Sequence, residues 1–134
     1  MSDFLISFLA FGIIFAGVDS VWLVSSSKLY KRELGSLMLE KPNFIAAVIF
    51  YVIYVFGVTY LALLPSLDEK EAMLAVMNAG VLGFVAYATY DLTNLATLKK
   101  WSQKIVVLDI IWGTFATTVS AGLTYLLVTN AFGL

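Results

Sequence analysis

Three aspartates lie within or at the edge of long apolar segments: Asp19, Asp91 and Asp109. An unpaired charge is costly in the hydrocarbon region of a membrane, so an ionisable residue there usually has a function and a partner. Grouped carboxyl groups can hold protons, and their oxygens are the ligands that hard cations prefer. The three aspartates therefore predict a polar site that binds or transports a proton, a cation or a small polar or lipid-linked ligand.

Helical spacing adds polar neighbours to these aspartates. Tyr87, Asp91 and Asn94 fall at positions i, i+4 and i+7, which share one face of a helix. Thr93 lies on a second polar stripe beside that face. The other two aspartates are each followed three positions later by a tryptophan, whose indole N–H can donate to a carboxylate. The predicted binding set is Asp19, Asp91, Asp109, Asn94, Tyr87, Trp22, Trp112 and Thr93.

The alternative to a shared polar site is that the same residues lie at the membrane surface, and the sequence leaves this alternative open. In the headgroup region the aspartates would be solvated and paired with nearby lysines. The tryptophans would then belong to the aromatic belt at the membrane surface. For Trp101, which has no aspartate three positions before it, the belt is the preferred interpretation.

Composition places the chain in a membrane and excludes several kinds of site. Of its 134 residues, 61% are hydrophobic and 13% are charged, whereas soluble domains contain about 25% charged residues. Histidine and cysteine are both absent from the sequence, so no haem, zinc or iron–sulfur centre is expected, and a hard cation such as Mg²⁺ is the only metal left open. A net charge of -1 provides no basic field for nucleic acid.

Four apolar segments are long enough to cross a bilayer, whose core of about 30 Å needs about 20 residues per helix. They are residues 4–24, 44–64, 72–90 and 105–128, and the third segment has a polar extension that could continue it to residue 98. The connections between them are too short for a second domain. The sequence therefore predicts an all-α integral membrane four-helix bundle that forms a single domain over residues 1–134.

The basic residues predict how the bundle is oriented. Seven of the eight Lys and Arg residues lie near the first and third connections, and the second connection holds only Lys70. Short basic loops stay in the cytoplasm, so both termini are predicted to be extracytoplasmic. The protein is predicted to lie in the inner membrane, with the three aspartates toward its cytoplasmic side. Charged and apolar residues alternate over 28–40, which predicts a short helix along the lipid surface.

Several motifs resemble a family of small bacterial predicted membrane proteins known only as a domain of unknown function. The resemblance rests on the Tyr-Asp-Leu-Thr-Asn-Leu-Ala-Thr-Leu segment at 90–98, with Trp101 after it, and on Asp109-x-x-Trp112-Gly113, Asp19-x-x-Trp22-Leu23 and residues 30–35. It runs along the whole chain and implies a four-helix inner-membrane protein. It implies no reaction, but the gene neighbourhoods for fatty-acid modification that the resemblance implies favour a lipid-linked role.

Three functions remain open at this point. The first is a binding or transport protein that uses the aspartates, with a homodimer as one arrangement. The second is a lipid-modifying enzyme in which the aspartates act as acid–base groups or hold Mg²⁺. The third is an accessory subunit that packs against a larger membrane enzyme through faces of small residues, among them Ala79, Gly83 and Gly113.

Overall fold

A computed structural model of the protein describes residues 2–134, and its regular elements are helices. They are α1 (Asp3–Leu34), a 3₁₀ turn (Gly35–Leu37), α2 (Phe44–Val58), a π-helical segment (Thr59–Leu63), α3 (Leu64–Glu69), α4 (Ala72–Thr97) and α5 (Gln103–Ala131). In these elements, four helical stretches are long and apolar enough to span a membrane: Asp3–Leu37, Phe44–Glu69, Ala72–Thr97 and Gln103–Ala131. The predicted all-α, four-span architecture is confirmed, and the orientation of the termini stays a prediction.

The four long helices begin where the sequence provides an N-cap. In each case a side-chain oxygen accepts a hydrogen bond from a backbone N–H of the first turn, which would otherwise lack a partner. The capping residues are Ser2, Asn43, Glu71 and Ser102. These helix starts are therefore encoded locally.

The first helix is longer than the sequence analysis predicted, and residues 28–40 do not form a separate surface helix. Helix α1 runs without a break to Leu34 and ends at Gly35, whose φ of 52° is a conformation that glycine adopts easily. Contacts with α5 hold this extension against the bundle. Ser102, at the start of α5, donates a 2.9 Å hydrogen bond to Glu33. The apolar residues that suggested a lipid-surface helix are therefore part of α1, the 3₁₀ turn and the connection after it.

The second span also extends beyond its predicted end at residue 64, through Pro65 and on to Glu69. Proline has no N–H, so Pro65 cannot donate to the carbonyl of Leu61 four residues earlier. The side-chain amide of Asn78 in α4 donates to that carbonyl instead, at 3.2 Å. The π-helical segment lies immediately before the proline, and its end is marked by a hydrogen bond from the N–H of Leu64 to the carbonyl of Thr59.

Small residues allow α4 and α5 to pack closely. A Cβ atom added at Gly83 would lie 2.9 Å from the side chain of Thr117 and 3.1 Å from the carbonyl oxygen of Gly113. Ala79 and Ala116 are fully buried in the same interface region. Close backbone approach through small residues is how helices associate in lipid, and it fixes the relative position of the two helices that carry Asp91 and Asp109.

The first part of α2 packs much more loosely than the second. Residues 44–53 include no buried residue, and the first buried side chain of α2 is that of Tyr54. From Tyr54 onward α2, the π-helical segment and α3 contribute much of the core, including Val58, Ala62 and Leu63. Beside the first part of α2 the bundle encloses a space.

Candidate functional site

That space is a cavity of about 550 Å³, here called the inter-helix cavity, between α1, α2, α4 and α5. Its volume is within the range of small-molecule binding sites, roughly 300–1,000 Å³. Aromatic and aliphatic side chains form most of the wall, and two carboxyl groups interrupt it. The lining residues are Asp19, Trp22, Leu23, Ser26, Ser27, Tyr30, Met38, Phe50, Tyr54, Ala86, Tyr87, Tyr90, Asp109 and Trp112.

Asp19, from α1, accepts hydrogen bonds from two other helices. The hydroxyl of Tyr51 in α2 donates to Oδ2 at 2.5 Å, and the indole Nε1–H of Trp112 in α5 donates to Oδ1 at 3.1 Å. Hydrogen bonds to a carboxylate are stronger than those between neutral groups. Asp19 is therefore held in one orientation and joins three helices at the wall of the cavity.

Asp109, from α5, has a similar arrangement with α1. The hydroxyl of Tyr30 donates to Oδ1 of Asp109 at 2.7 Å, and the indole of Trp22 donates to the Tyr30 oxygen at 3.4 Å. The indole rings of Trp22 and Trp112 stack with centroids 4.8 Å apart and planes at 9°. The indole N–H of Trp112 thus bonds to Asp19 and that of Trp22 reaches Asp109 through Tyr30, while the two rings stack on each other.

Neither carboxyl group is paired with a cation of the chain. Within residues 2–134 the one ion pair joins Arg32 to its neighbour Glu33, at 3.8 Å. Asp19 and Asp109 have only hydroxyl and indole donors as described partners. Such donors stabilise a carboxylate but do not neutralise it, so the cavity wall carries negative charge whenever either group is ionised.

Another part of the cavity wall is built from two tyrosines that meet edge to face. The rings of Tyr54 and Tyr87 have centroids 6.1 Å apart and an interplanar angle of 82°. The Tyr54 hydroxyl shares a 2.6 Å hydrogen bond with Thr117. The Tyr87 ring lies directly over Gly113, where an added Cβ atom would be 2.2 Å from Cγ of the ring. The glycine that permits close helix packing also determines the position of Tyr87.

Asp91 lies outside the cavity lining and is fully buried, with 0% exposure. The carboxyl group of Asp109 and the indole of Trp101 are beside it. Neither Asp91 oxygen has a conventional hydrogen-bond donor among the described residues, and the Trp101 indole nitrogen is also buried without a partner. The Trp101 ring packs edgewise on Tyr90, at 5.9 Å and 86°.

Comparison with known proteins assigns a family to the chain. Residues 4–126 match the family described as "Predicted membrane protein (DUF2177)". The chain belongs to the DUF2177 family. This confirms the resemblance seen in the sequence, and together with the four candidate spans it supports a multi-pass membrane protein. No curated protein and no solved structure matches the chain.

All residues that line the inter-helix cavity of this DUF2177 protein lie within the matched segment. Among the eight residues of the predicted binding set, five line the cavity, and Asp91 lies behind its wall. The five are Asp19, Trp22, Tyr87, Asp109 and Trp112.

Thr93 and Asn94 do not reach the cavity of the DUF2177 protein. Thr93 is exposed, and its hydroxyl donates to the Thr89 carbonyl of its own helix at 2.5 Å. Asn94 is half-buried in the last turns of α4 and is not among the lining residues. Tyr87 lines the cavity and Asn94, seven residues later, does not, although helical spacing places both on one face of the helix.

No group of three or more acidic residues in positions 2–134 is arranged to hold a metal ion. The three aspartates therefore do not form the common ligand set that the sequence left open. Asp19 is bonded to α2 and α5 side chains, whereas Asp91 and Asp109 lie together. The DUF2177 protein thus has two carboxyl groups on the cavity and a third behind one of them.

Two tyrosines outside the predicted set hold the carboxyl groups in place, Tyr30 and Tyr51. The predicted separate helix over residues 28–40 hides the relation between Tyr30 and Asp19, because it places them on different elements. In a continuous helix, Asp19, Trp22, Ser26 and Tyr30 follow a spacing of i, i+3, i+7 and i+11, and all four line the cavity. That stripe is the sequence signal that would have identified Tyr30.

Proposed function

We propose that this protein binds an amphipathic, positively charged small molecule in the inter-helix cavity. The positive group lies at Asp19 and Asp109, and the apolar part lies along the aromatic wall. The observation that carries the proposal is the presence of two carboxyl groups on an aromatic cavity, neither of them paired with a Lys or Arg among residues 2–134.

Charge and aromatic surface both favour a cation. A positive charge about 4 Å from a carboxylate gains about 4 kcal/mol at the effective dielectric constant typical of a protein surface. The faces of tryptophan and tyrosine rings attract cations as well, by about 0.5–2 kcal/mol each. Trp22 and Trp112 line the cavity together with both aspartates, so an ammonium group has both kinds of partner within the same cavity.

The rest of the cavity wall favours a ligand with an apolar part, and the exposed side of the cavity favours entry of that ligand from lipid. Three lining residues on different helices are themselves exposed: Leu23, Phe50 and Tyr90. All three lie within segments predicted to cross the bilayer, so the cavity opens toward the side of the bundle. A ligand with an alkyl or aromatic part can reach the carboxyl groups without leaving the membrane.

The proposed location follows from the charges around the cavity. The connections at 38–43 and 98–102, together with the adjoining ends of α1 and α5, carry seven of the eight basic residues. By the positive-inside rule this end of the bundle faces the cytoplasm. The proposal is therefore an inner-membrane protein whose ligand comes from the cytoplasmic leaflet.

Binding is tested with a pair of probes that differ only in charge. The cationic probe is an alkyltrimethylammonium ion, and the neutral probe replaces its nitrogen by carbon. With the purified protein in nanodiscs, binding is followed by quenching of tryptophan fluorescence, since two of the three tryptophans line the cavity. We expect saturable binding of the cation and at least tenfold weaker binding of the neutral probe.

Matched variants separate binding in the cavity from partition into lipid. Asp19→Asn and Asp109→Asn are each expected to weaken binding of the cation by about tenfold, or about 1.4 kcal/mol. Asp68→Asn is the control, because Asp68 is exposed in α3 and distant in sequence from the cavity residues. Equal binding of both probes, or equal affinity in all three variants, would refute the proposal.

Transport of the bound cation is a second candidate function, and the packing of α2 favours it. Residues 44–53 of α2 include no buried residue, and a π-helical segment joins the helix to its well-packed continuation. Such irregular turns often occur at functional sites and kinks. Uptake of the labelled ammonium probe into proteoliposomes, absent in Asp109→Asn, is the expected result. Binding without uptake would exclude transport and leave the binding function.

A further inference from the structure

Asp91 is a buried carboxyl group that the proposed binding function does not use. It is 0% exposed, and no Lys or Arg among residues 2–134 lies within ion-pairing distance. Both of its oxygens lack a conventional donor. An ionised carboxylate without a partner is very unfavourable in such a place, and the usual outcome is that the group takes up a proton.

A protonated Asp91 has beside it a carboxyl group that can accept a hydrogen bond. The titratable groups that face it are Asp109 from α5, Tyr30 from α1 and Tyr90 from α4. The hydroxyl of Tyr30 already donates to Asp109, and the Trp101 indole beside Asp91 is a donor only. Asp109 is therefore the neighbouring carboxyl group with which Asp91 can share a proton.

The pair of carboxyl groups connects a buried position with the cavity. Asp109 lines the cavity where the proposed ligand lies, and Asp91 is behind it. Two adjacent carboxyl groups do not both ionise readily, because like charges repel, so one proton is shared between them. A positive charge beside Asp109 stabilises a second negative charge on the pair, so both carboxyl groups can then be ionised.

We propose that Asp91 and Asp109 hold one proton between them and that binding of the cationic ligand in the inter-helix cavity releases it. Before binding, the pair consists of one carboxylic acid and one carboxylate. After binding, both groups are carboxylates facing one added positive charge, and the proton leaves to water. Charge balances, because one proton is exchanged for one cation. This inference rests on the proposed binding function and adds to it a proton coupling.

Proton exchange has a direct signature in the wild-type protein. Because the quaternary ammonium probe has no titratable group, any pH dependence of binding comes from the protein. We expect the dissociation constant to fall about tenfold for each pH unit of increase while the pair holds its proton. In weakly buffered solution, a pH-sensitive dye is expected to report about one proton released per ligand bound. Neither measurement depends on a variant that must fold.

The Asp91→Asn variant tests which residue holds the proton. Asparagine keeps the shape of the acid but cannot release a proton, so the probe is expected to bind with an affinity that is nearly constant with pH and with no proton release. Asp19→Asn is the comparison, because it is expected to weaken binding while one proton is still released per ligand bound.

The two proposals fail in different ways. Saturable binding by the wild-type protein with no proton release would overturn the coupling and leave the binding function intact. Proton release that persists in Asp91→Asn would overturn the role of Asp91. Failure of the wild-type protein to bind the probe at every pH tested would overturn both proposals.

Discussion

Replacing Gly113 by alanine should disturb the cavity wall without changing its charge. The added Cβ atom would lie 2.2–2.4 Å from three atoms of the Tyr87 ring, whereas ordinary contact begins at 3.4 Å. The ring must therefore retreat by about 1 Å, or the two helices must separate, since a packed interior has little free space. Overpacking of this kind costs about 1–3 kcal/mol, partly offset by the gain of up to about 1 kcal/mol in helix propensity from glycine to alanine.

A second glycine of the same helix provides the control. An added Cβ atom at Gly122 would lie 3.5 Å from Val76, which is ordinary van der Waals contact. We expect Gly122→Ala to be neutral or stabilised by up to about 1 kcal/mol and Gly113→Ala to be destabilised by about 1 kcal/mol. Thermal unfolding of both variants in one detergent, followed by far-UV circular dichroism, measures the difference.

The same pair of variants connects packing with binding. Tyr87 lines the cavity and packs against Tyr54, so a displacement of its ring away from Gly113 changes the cavity wall. The ammonium probe should therefore bind more weakly to Gly113→Ala than to Gly122→Ala. Equal melting temperatures and equal affinities in the two variants would show that Tyr87 does not lie on Gly113 as described.

Two further predictions concern individual hydrogen bonds. Tyr51→Phe should lower the free energy of unfolding by about 1–3 kcal/mol, because Asp19 loses one of its donors. Tyr60→Phe should change it little, because Tyr60 is exposed. Similar melting temperatures of the two variants would contradict this prediction. Asn78→Ala should cost about 1–3 kcal/mol, because the carbonyl of Leu61 loses its side-chain donor. The loss should shrink when Pro65→Ala restores a backbone donor, and a thermal-unfolding double-mutant cycle with no coupling would refute this explanation.

The architecture could be predicted from the sequence because a lipid environment allows few kinds of backbone structure. Runs of about 20 apolar residues cross the membrane as helices, since no other open structure satisfies the backbone there. The positions of helix ends were harder to predict, because they depend on tertiary contacts. The last turns of α1 contact α5 through Tyr30 and Glu33, and hydropathy alone does not distinguish such a contact from a helix lying on the lipid surface.

The candidate site could be predicted in part for a related reason. Aspartates in apolar segments are conspicuous, and helical spacing then identifies the neighbours on the same helix. Partners from other helices are not encoded in that spacing. Tyr51 reaches Asp19 across the bundle, and Asp91 lies behind the cavity although Tyr87, one turn earlier, lines it. Only the packing of four helices determines which side of α4 faces the cavity at each turn.

The central claim is that a cation binds at the carboxyl groups of the inter-helix cavity. The most direct measurement is isothermal titration of the wild-type protein and of the Asp19→Asn, Asp109→Asn double variant with the alkyltrimethylammonium probe and its neutral carbon analogue. We predict saturable binding of the cation to the wild-type protein, weak binding of the neutral analogue, and loss of the difference between them in the double variant. Equal affinity of the wild-type protein for both probes, or undiminished preference for the cation in the double variant, would contradict the claim.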